Sequence, residues 1–68
     1  MSVARVTEIS ASSKTSFEDA VNKGIARANE TLKNVRGAWI DSQKVSCDRD
    51  GNIRSYRVIM RVTFVLED

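Results

Sequence analysis

The clearest structural pattern in the chain lies at residues 15–35, TSFEDAVNKGIARANETLKNV. Its apolar residues are three or four positions apart, which places them along one side of an α-helix. They are Phe17, Val21, Ile25, Ala28, Leu32 and Val35. Thr15 and Glu18 have the spacing of a capping box, and Gly37 is a natural residue to end the helix. We therefore predict a helix of about six turns. Inside it, Gly24 lies beside the apolar stripe and would let another backbone come close.

The other segments alternate in polarity, as β-strands do. Residues 56–66 have one wholly apolar side, while the other side mixes arginine with Ile, Thr and Val. Residues 38–47 give a second strand, and the Asp50-Gly51 pair between the two runs is a strong hairpin signal. Residues 3–10 give a weaker third strand. We therefore predict one α+β domain over residues 1–68, of order β-α-β-β, with a three-stranded antiparallel sheet packed on one long helix.

The composition of the chain excludes several classes of protein. The 68 residues include 11 Lys and Arg, 9 Asp and Glu, one Cys and no His. A catalytic triad with His, an intrachain disulfide and a metal site built from several Cys or His are therefore impossible. The net charge of +2 is too small to indicate nucleic-acid binding. No apolar run is long enough to span a membrane, and the first residues lack the apolar region of a signal peptide. We expect a cytoplasmic protein that is not an enzyme.

The length of the chain predicts self-association. For so small a domain, the free energy gained by apolar burial roughly equals the free-energy cost of the conformational entropy lost on folding. Neither a disulfide nor a Cys/His metal site is available to add stability. The second side of the strand at residues 56–66 carries Ile59 and Val65, which a purely solvated side would not need. Another subunit is the natural cover for such a half-apolar sheet face and its open edges.

Several short segments, in this order and spacing, resemble the dodecin family over nearly the whole chain. These segments are residues 12–17 (SSKTSF), 25–28 (IARA), 31–35 (TLKNV), 50–51 (DG), 56–58 (YRV) and 62–68 (VTFVLED). The resemblance implies a β-α-β-β protomer whose helix is partly wrapped by the sheet. It also implies a hollow homododecamer of tetrahedral symmetry. Many dodecins hold flavins, such as FMN or riboflavin, in pairs between aromatic residues at two-fold axes, for storage or protection and without catalysis.

The candidate ligand-binding residues are Trp39, Gln43 and Arg57. The resemblance places the stacking Trp of flavin dodecins at Gly37, and a Gln that contacts the flavin at Arg57, so both positions differ here. Trp39 lies two residues further on with the same strand parity; it stacks on a ligand or packs between subunits. Gln43 and Asp41 are expected on the same strand face, where they hydrogen-bond a ligand or are solvated. Arg57 stacks on a flat ring, binds a carboxylate or phosphate, or forms a salt bridge between subunits.

These departures point to a divergent subgroup, and the resemblance links some members of the wider group to calcium. The alternative function is therefore a dodecin-like shell without flavin, with a structural or calcium-binding role. The segment at residues 48–52 (DRDGN) is similar to the start of a calcium loop, but Ile59 occupies the twelfth position, where an EF-hand needs an acidic residue. We expect a hairpin turn there. Cys47 is expected to be inert, because the chain has no His to activate it.

Overall fold

The computed structural model describes residues 3–66. Its elements are β1 (Val3–Ser13), α1 (Phe17–Leu32), β2 (Val35–Cys47) and β3 (Ile53–Leu66). The strands form one antiparallel sheet in the order β1-β3-β2, so the C-terminal strand is central and both other strands are edges. The predicted α+β fold of order β-α-β-β is confirmed. Each strand is longer than its sequence pattern predicted.

The helix begins one residue later than the predicted capping box. Ser16 is the N-cap, with extended backbone at φ −169°, and its Oγ accepts a hydrogen bond from the Asp19 N–H at 3.0 Å. Thr15 precedes the cap, and its N–H donates to the Ser13 Oγ at 2.9 Å. The prediction of Thr15 as the cap is therefore wrong, because Ser13 holds Thr15 in the turn that leads into the helix.

The end of the helix also differs from the prediction. The last helical residue is Leu32, and Lys33 and Asn34 then take positive φ angles of 58° and 51°. The Lys33 N–H still donates to the Asn29 carbonyl oxygen at 3.2 Å, which closes the last turn. Gly37, predicted to stop the helix, lies inside β2. The helix is therefore 16 residues long, shorter than its apolar stripe suggested.

The core lies between α1 and the apolar side of β3. The side chains of Val58, Met60 and Val62 are fully buried. Phe17 at the start of the helix meets Tyr56 edge to face, with ring centroids 5.2 Å apart. Gly24 is closely approached, but by side chains and not by the backbone that the sequence analysis expected: a Cβ there would lie only 2.4 Å from Met60 Cε and 3.0 Å from Ala11 Cβ.

The helix covers one face of the sheet, which we call the inner face. On the outer face, the side chains of β3 are only half-buried or exposed. Of the large apolar residues that are well exposed, Val6 and Trp39 lie on this outer face by their pairing, whereas Val3, Ile40, Val45 and Leu66 lie on the inner face. Within the described residues 3–66, no element covers the second sheet face, as the sequence predicted. No helix within residues 3–66 is long and apolar enough to cross a membrane.

Candidate functional site

A β-bulge at Asp41 decides which residues of β2 reach the outer face. Ile40 pairs with Met60 and Ser42 pairs with Ile59, so Asp41 is an extra residue in β2. In an antiparallel sheet, residues that pair directly have their side chains on the same face. One extra residue therefore reverses the alternation of β2 relative to β3 from this point on.

The bulge places Trp39 and Gln43 on opposite faces. Trp39 pairs with Arg61 on the outer face, whereas Gln43 pairs with Val58, which is buried beneath the helix. The expectation that Gln43 shares the strand face of Trp39 is wrong, because the alternation was counted without a bulge. Arg57 lies on the outer face with Trp39, since it is an even number of residues from Arg61 along β3.

Trp39, Asp41 and Arg61 form a contact group on the outer face, which we call the Trp39 cluster. The Arg61 Cζ lies 5.0 Å from the centroid of the Trp39 ring, a cation–π distance. The Arg61 Nε donates to the Asp41 Oδ1 at 3.0 Å. The ion pair is partly solvated, so it contributes at most about 1 kcal/mol. Its structural effect is to hold a guanidinium against the indole, whose residue remains 59% exposed.

Open space adjoins this ring at Gly37. Gly37 pairs with Thr63, which places it on the same face as Trp39, as the sequence parity predicted. A Cβ at Gly37 would meet no atom within 4 Å. The outer face therefore presents an exposed indole, with Arg61 over its ring, near a backbone position at Gly37 that carries no side chain.

Arg57 lies further along the same face, toward the hairpin. It pairs with Lys44 of β2 on one side and with Ser12 of β1 on the other. It is exposed, and no carboxylate within residues 3–66 forms an ion pair with it. Arg61 and Arg57 are four residues apart on β3, which corresponds to about 13 Å along a strand.

In the hairpin turn, the carboxylate of Asp48 accepts hydrogen bonds from the backbone of the turn itself. The Asp48 Oδ1 accepts hydrogen bonds from the N–H groups of Asp50 at 2.9 Å and Asn52 at 3.0 Å. These bonds, the one from Asn52 foremost, hold the pKa of the Asp48 carboxyl below its ordinary value. Gly51 supplies the positive φ of 84° that the turn requires. The predicted hairpin turn is confirmed. Within residues 3–66, no three Cys, Asp or Glu side chains gather as a metal site.

The sequence and the fold correspond to a known family. Residues 3–67 match the family model described as Dodecin. The chain therefore belongs to the dodecin family, whose membership implies an oligomeric assembly.

Two relatives, one of them compared both by its sequence and by its solved structure, illustrate the match. The calcium dodecin of Mycobacterium tuberculosis is 34% identical over 64 residues, which cover 94% of this chain and 89% of that protein. The solved dodecin from Streptomyces davaonensis superposes with a TM-score of 0.92 at 31% identity, covering 98% and 97% of the two chains. The solved calcium dodecin of M. tuberculosis, described as calcium-chelating with a novel calcium-binding site, gives a TM-score of 0.82 at 31% identity, covering 96% and 91%.

Proposed function

We propose that this chain is a subunit of a non-enzymatic homododecameric shell that stores a planar ligand, FMN or riboflavin, at the Trp39 cluster. The observation that carries the proposal is the exposed Trp39 ring on a sheet face that its own chain leaves open. Arg61 lies against this ring, and Gly37 leaves the neighbouring space empty. An indole in such a place gains free energy by stacking on another flat ring.

The ligand is held without being transformed. The whole chain has no His, and the acidic residue nearest the indole, Asp41, is engaged by Arg61. A general base, or a base that activates a nucleophile, would have to be a His or an unpaired carboxylate beside the ligand, and the Trp39 cluster offers neither. Trp39 and Arg57 are the ligand residues of this proposal. The predicted ligand contact of Gln43 stays a prediction, and the face on which Gln43 lies does not favour it.

The exposed apolar surface supports the assembly. A groove of about 380 Å³ separates α1 from β2. Its lining is mostly apolar: Val21, Ile25, Val35, Arg36, Gly37, Ala38 and Ile40. Together with the half-apolar outer face, this groove leaves large apolar areas on both sides of a 68-residue chain. Contiguous apolar surface of this kind marks association sites, so neighbouring subunits would supply the missing burial and complete the ligand site.

A second candidate function is a shell that binds calcium. The calcium dodecin of M. tuberculosis, at 34% identity, is the observation in its favour. In the present chain, the outer-face carboxylate of Asp41 is already paired with Arg61, and Glu8 lies opposite the same arginine. Calcium usually takes six to eight oxygen ligands. A calcium site would therefore need carboxylates or carbonyl groups from more than one subunit.

Flavin titration separates the two functions. Riboflavin and FMN are added to the purified oligomer while flavin fluorescence is followed, with the wild-type protein, Trp39→Ala and Trp39→Phe. We expect strong quenching for the wild type, partial quenching for Trp39→Phe and none for Trp39→Ala. Val45→Ala is the matched control, because Val45 is also exposed on β2 but lies on the helix side of the sheet and outside the groove.

No quenching of flavin fluorescence at micromolar protein concentration would reject flavin storage. Calorimetric titration with calcium then decides the second candidate: saturable heat of binding supports the calcium shell, and its absence rejects it. Each variant is first shown to have the mass of the wild-type assembly, so that a lost site is distinguished from a lost shell.

A further inference from the structure

A cleft of about 520 Å³ lies between β1 and α1, on the side of the helix away from β2. The Ser13 Oγ donates to the carboxylate of Asp19 near the start of the helix, and Gly24 lies against Ala11 and Ile9 further along. The helix and β1 therefore run in opposite directions, and the cleft follows both. Its volume is within the range of cavities that hold small molecules.

The floor of this cleft is apolar and long. Ile9 and Ala11 line it from β1, and Ala28 and Leu32 line it from α1. Ala28 carries only a methyl group, so the helix leaves space there that a longer side chain would fill. The cleft begins at Lys23 and ends at Leu32, a distance of about 14 Å along a helix that rises 1.5 Å per residue. An extended apolar chain of that length fits it.

Two cations lie at one end of the cleft. Lys23 and Arg27 are one helical turn apart, both line the cleft, and no carboxylate of residues 3–66 does so. Each cation has a helical ion pair, Lys23 with Asp19 at 3.1 Å and Arg27 with Glu30 at 3.7 Å. The side chains of the two cations remain 64% and 84% exposed, so these pairs are weak and compete poorly with a bound anion.

We propose that the cleft between β1 and α1 binds a free aliphatic carboxylate. The carboxylate group lies between Lys23 and Arg27, and a guanidinium can donate to both of its oxygens. Ser10 and Ser12 also line the cleft, and their hydroxyl groups offer further donors. The aliphatic chain lies along the apolar floor toward Leu32, where its burial supplies most of the binding free energy.

This site is separate from the Trp39 cluster. Trp39 and Arg57 lie on the outer face of the sheet, whereas the apolar floor of the cleft lies on the inner face beneath the helix. The carboxylate proposal therefore does not rest on the proposed function. A neutral apolar molecule would leave the two cations without a partner, and an aliphatic amine would be repelled by them.

The test titrates aliphatic carboxylates into the purified oligomer and follows methyl NMR signals. Decanoate should shift the methyl signals of Ala28 and Leu32 and leave that of Val45 in place, because Val45 is exposed on the inner face but lies outside the cleft. From octanoate to dodecanoate, each added methylene should tighten binding about two- to fourfold. An extended chain of about twelve carbons already spans the cleft, so tetradecanoate should gain little more.

Variants of the two cations test the recognition of charge. Arg27→Gln and Lys23→Gln should each weaken decanoate binding about two- to fivefold, the range expected for exposed charge pairs. Lys33→Gln is the matched control, because Lys33 is an exposed cation at the end of the helix that does not line the cleft. Ala28→Leu should fill the cleft and abolish binding. Arg27→Glu changes only an exposed side chain, so it tests the site even if Ala28→Leu disturbs the assembly.

Three results would overturn the proposal. Decylamine that binds as tightly as decanoate, or equal losses in Arg27→Gln and Lys33→Gln, would show that the cations do not select the ligand. No shift of the Ala28 and Leu32 signals at millimolar decanoate would show that the cleft is closed in the oligomer, by a neighbouring subunit or by a strand added to the edge of β1. None of these results bears on the flavin titration, which tests the outer face.

Discussion

Replacement of Gly24 tests the packing of the helix on the sheet. Gly24 is buried in the middle of α1, and a Cβ added there would lie 2.4 Å from Met60 Cε, 3.0 Å from Ala11 Cβ and 3.6 Å from Ile9 Cδ1. A separation below 3.0 Å cannot persist, so something must move. The Met60 methyl is flexible, but its side chain is fully buried. The Ala11 Cβ is fixed to the backbone of β1.

Two opposing terms set the expected size of the effect. Gly→Ala within a helix raises stability by about 0.8–1.0 kcal/mol through helix propensity. Overpacking a well-filled core costs about 1–3 kcal/mol. With two contacts at or below 3.0 Å, we take a cost near the middle of that range and expect Gly24→Ala to lose about 1 kcal/mol of unfolding free energy. Gly24→Val adds two more methyl groups and a stiff side chain, so it should lose about 3 kcal/mol or more.

A double-mutant cycle identifies the cause. Met60→Ala alone should cost about 2–5 kcal/mol, because it leaves a cavity in the core. In that background the shortest contact of the new Cβ is gone, so Gly24→Ala should be neutral or stabilising. The coupling free energy between the two positions is then about 1–2 kcal/mol.

Unfolding in guanidinium, followed by circular dichroism at one fixed protein concentration, measures these differences. Ala26→Gly on the exposed side of α1 is the control, and it should cost about 1 kcal/mol through propensity alone. A Gly24→Ala protein that is more stable than the wild type by about 1 kcal/mol would refute the reasoning, because propensity would then have outweighed packing.

Two further predictions concern a carboxylate and the other glycines. A hydrogen bond from Ser13 (2.5 Å) and then one from Lys23 hold the pKa of Asp19 below its ordinary value; Ser13→Ala should raise it, as NMR titration of the carboxyl would show. Because a lowered pKa stabilises the fold above the unfolded pKa of about 4, this variant should be less stable at neutral pH, and the difference should shrink below about pH 4. Gly37→Ala should stabilise β2 by about 0.5–1 kcal/mol, whereas Gly51→Ala should destabilise the hairpin, where φ is 84°.

Each of these expectations has a contrary result. An unchanged Asp19 pKa in Ser13→Ala would show that the hydroxyl does not hold the carboxylate in solution. A constant stability difference from neutral to acid pH would show that the loss comes from packing. Equal effects of alanine at Gly37 and Gly51 would contradict the backbone angles assigned to them.

The sequence predicted the elements better than their ends. The apolar stripe of α1 and the alternation of β3 follow from helix and strand geometry, and both were confirmed. The helix start was missed because Thr15 and Ser16 are both good caps, and only the tertiary contact of Ser13 with Asp19 selects Ser16. The end of the helix was predicted wrongly because Lys33 takes a positive φ four residues before Gly37, although lysine has no special preference for that conformation.

The candidate site was only partly predictable, because, like the start of the helix, it depends on contacts between residues of different segments. Gln43 was expected on the strand face of Trp39, but the bulge at Asp41 puts it on the inner face. The sequence contained a signal for the bulge, because the apolar residues Ile40 and Val45 are an odd number of positions apart. A regular strand cannot place both on the helix side of the sheet, which is where the structure places them. The contact of Arg61 with Trp39 depends on the register of two strands and had no signal within either strand alone.

The proposed function requires neighbouring subunits to cover the outer sheet face and to complete the site around Trp39. Light scattering of the purified protein in dilute buffer measures the mass of the assembly directly. We expect a single species of about twelve times the 7.6 kDa of one chain. A folded protein with a mass near 7.6 kDa would contradict it, because the exposed apolar surface would then have no partner.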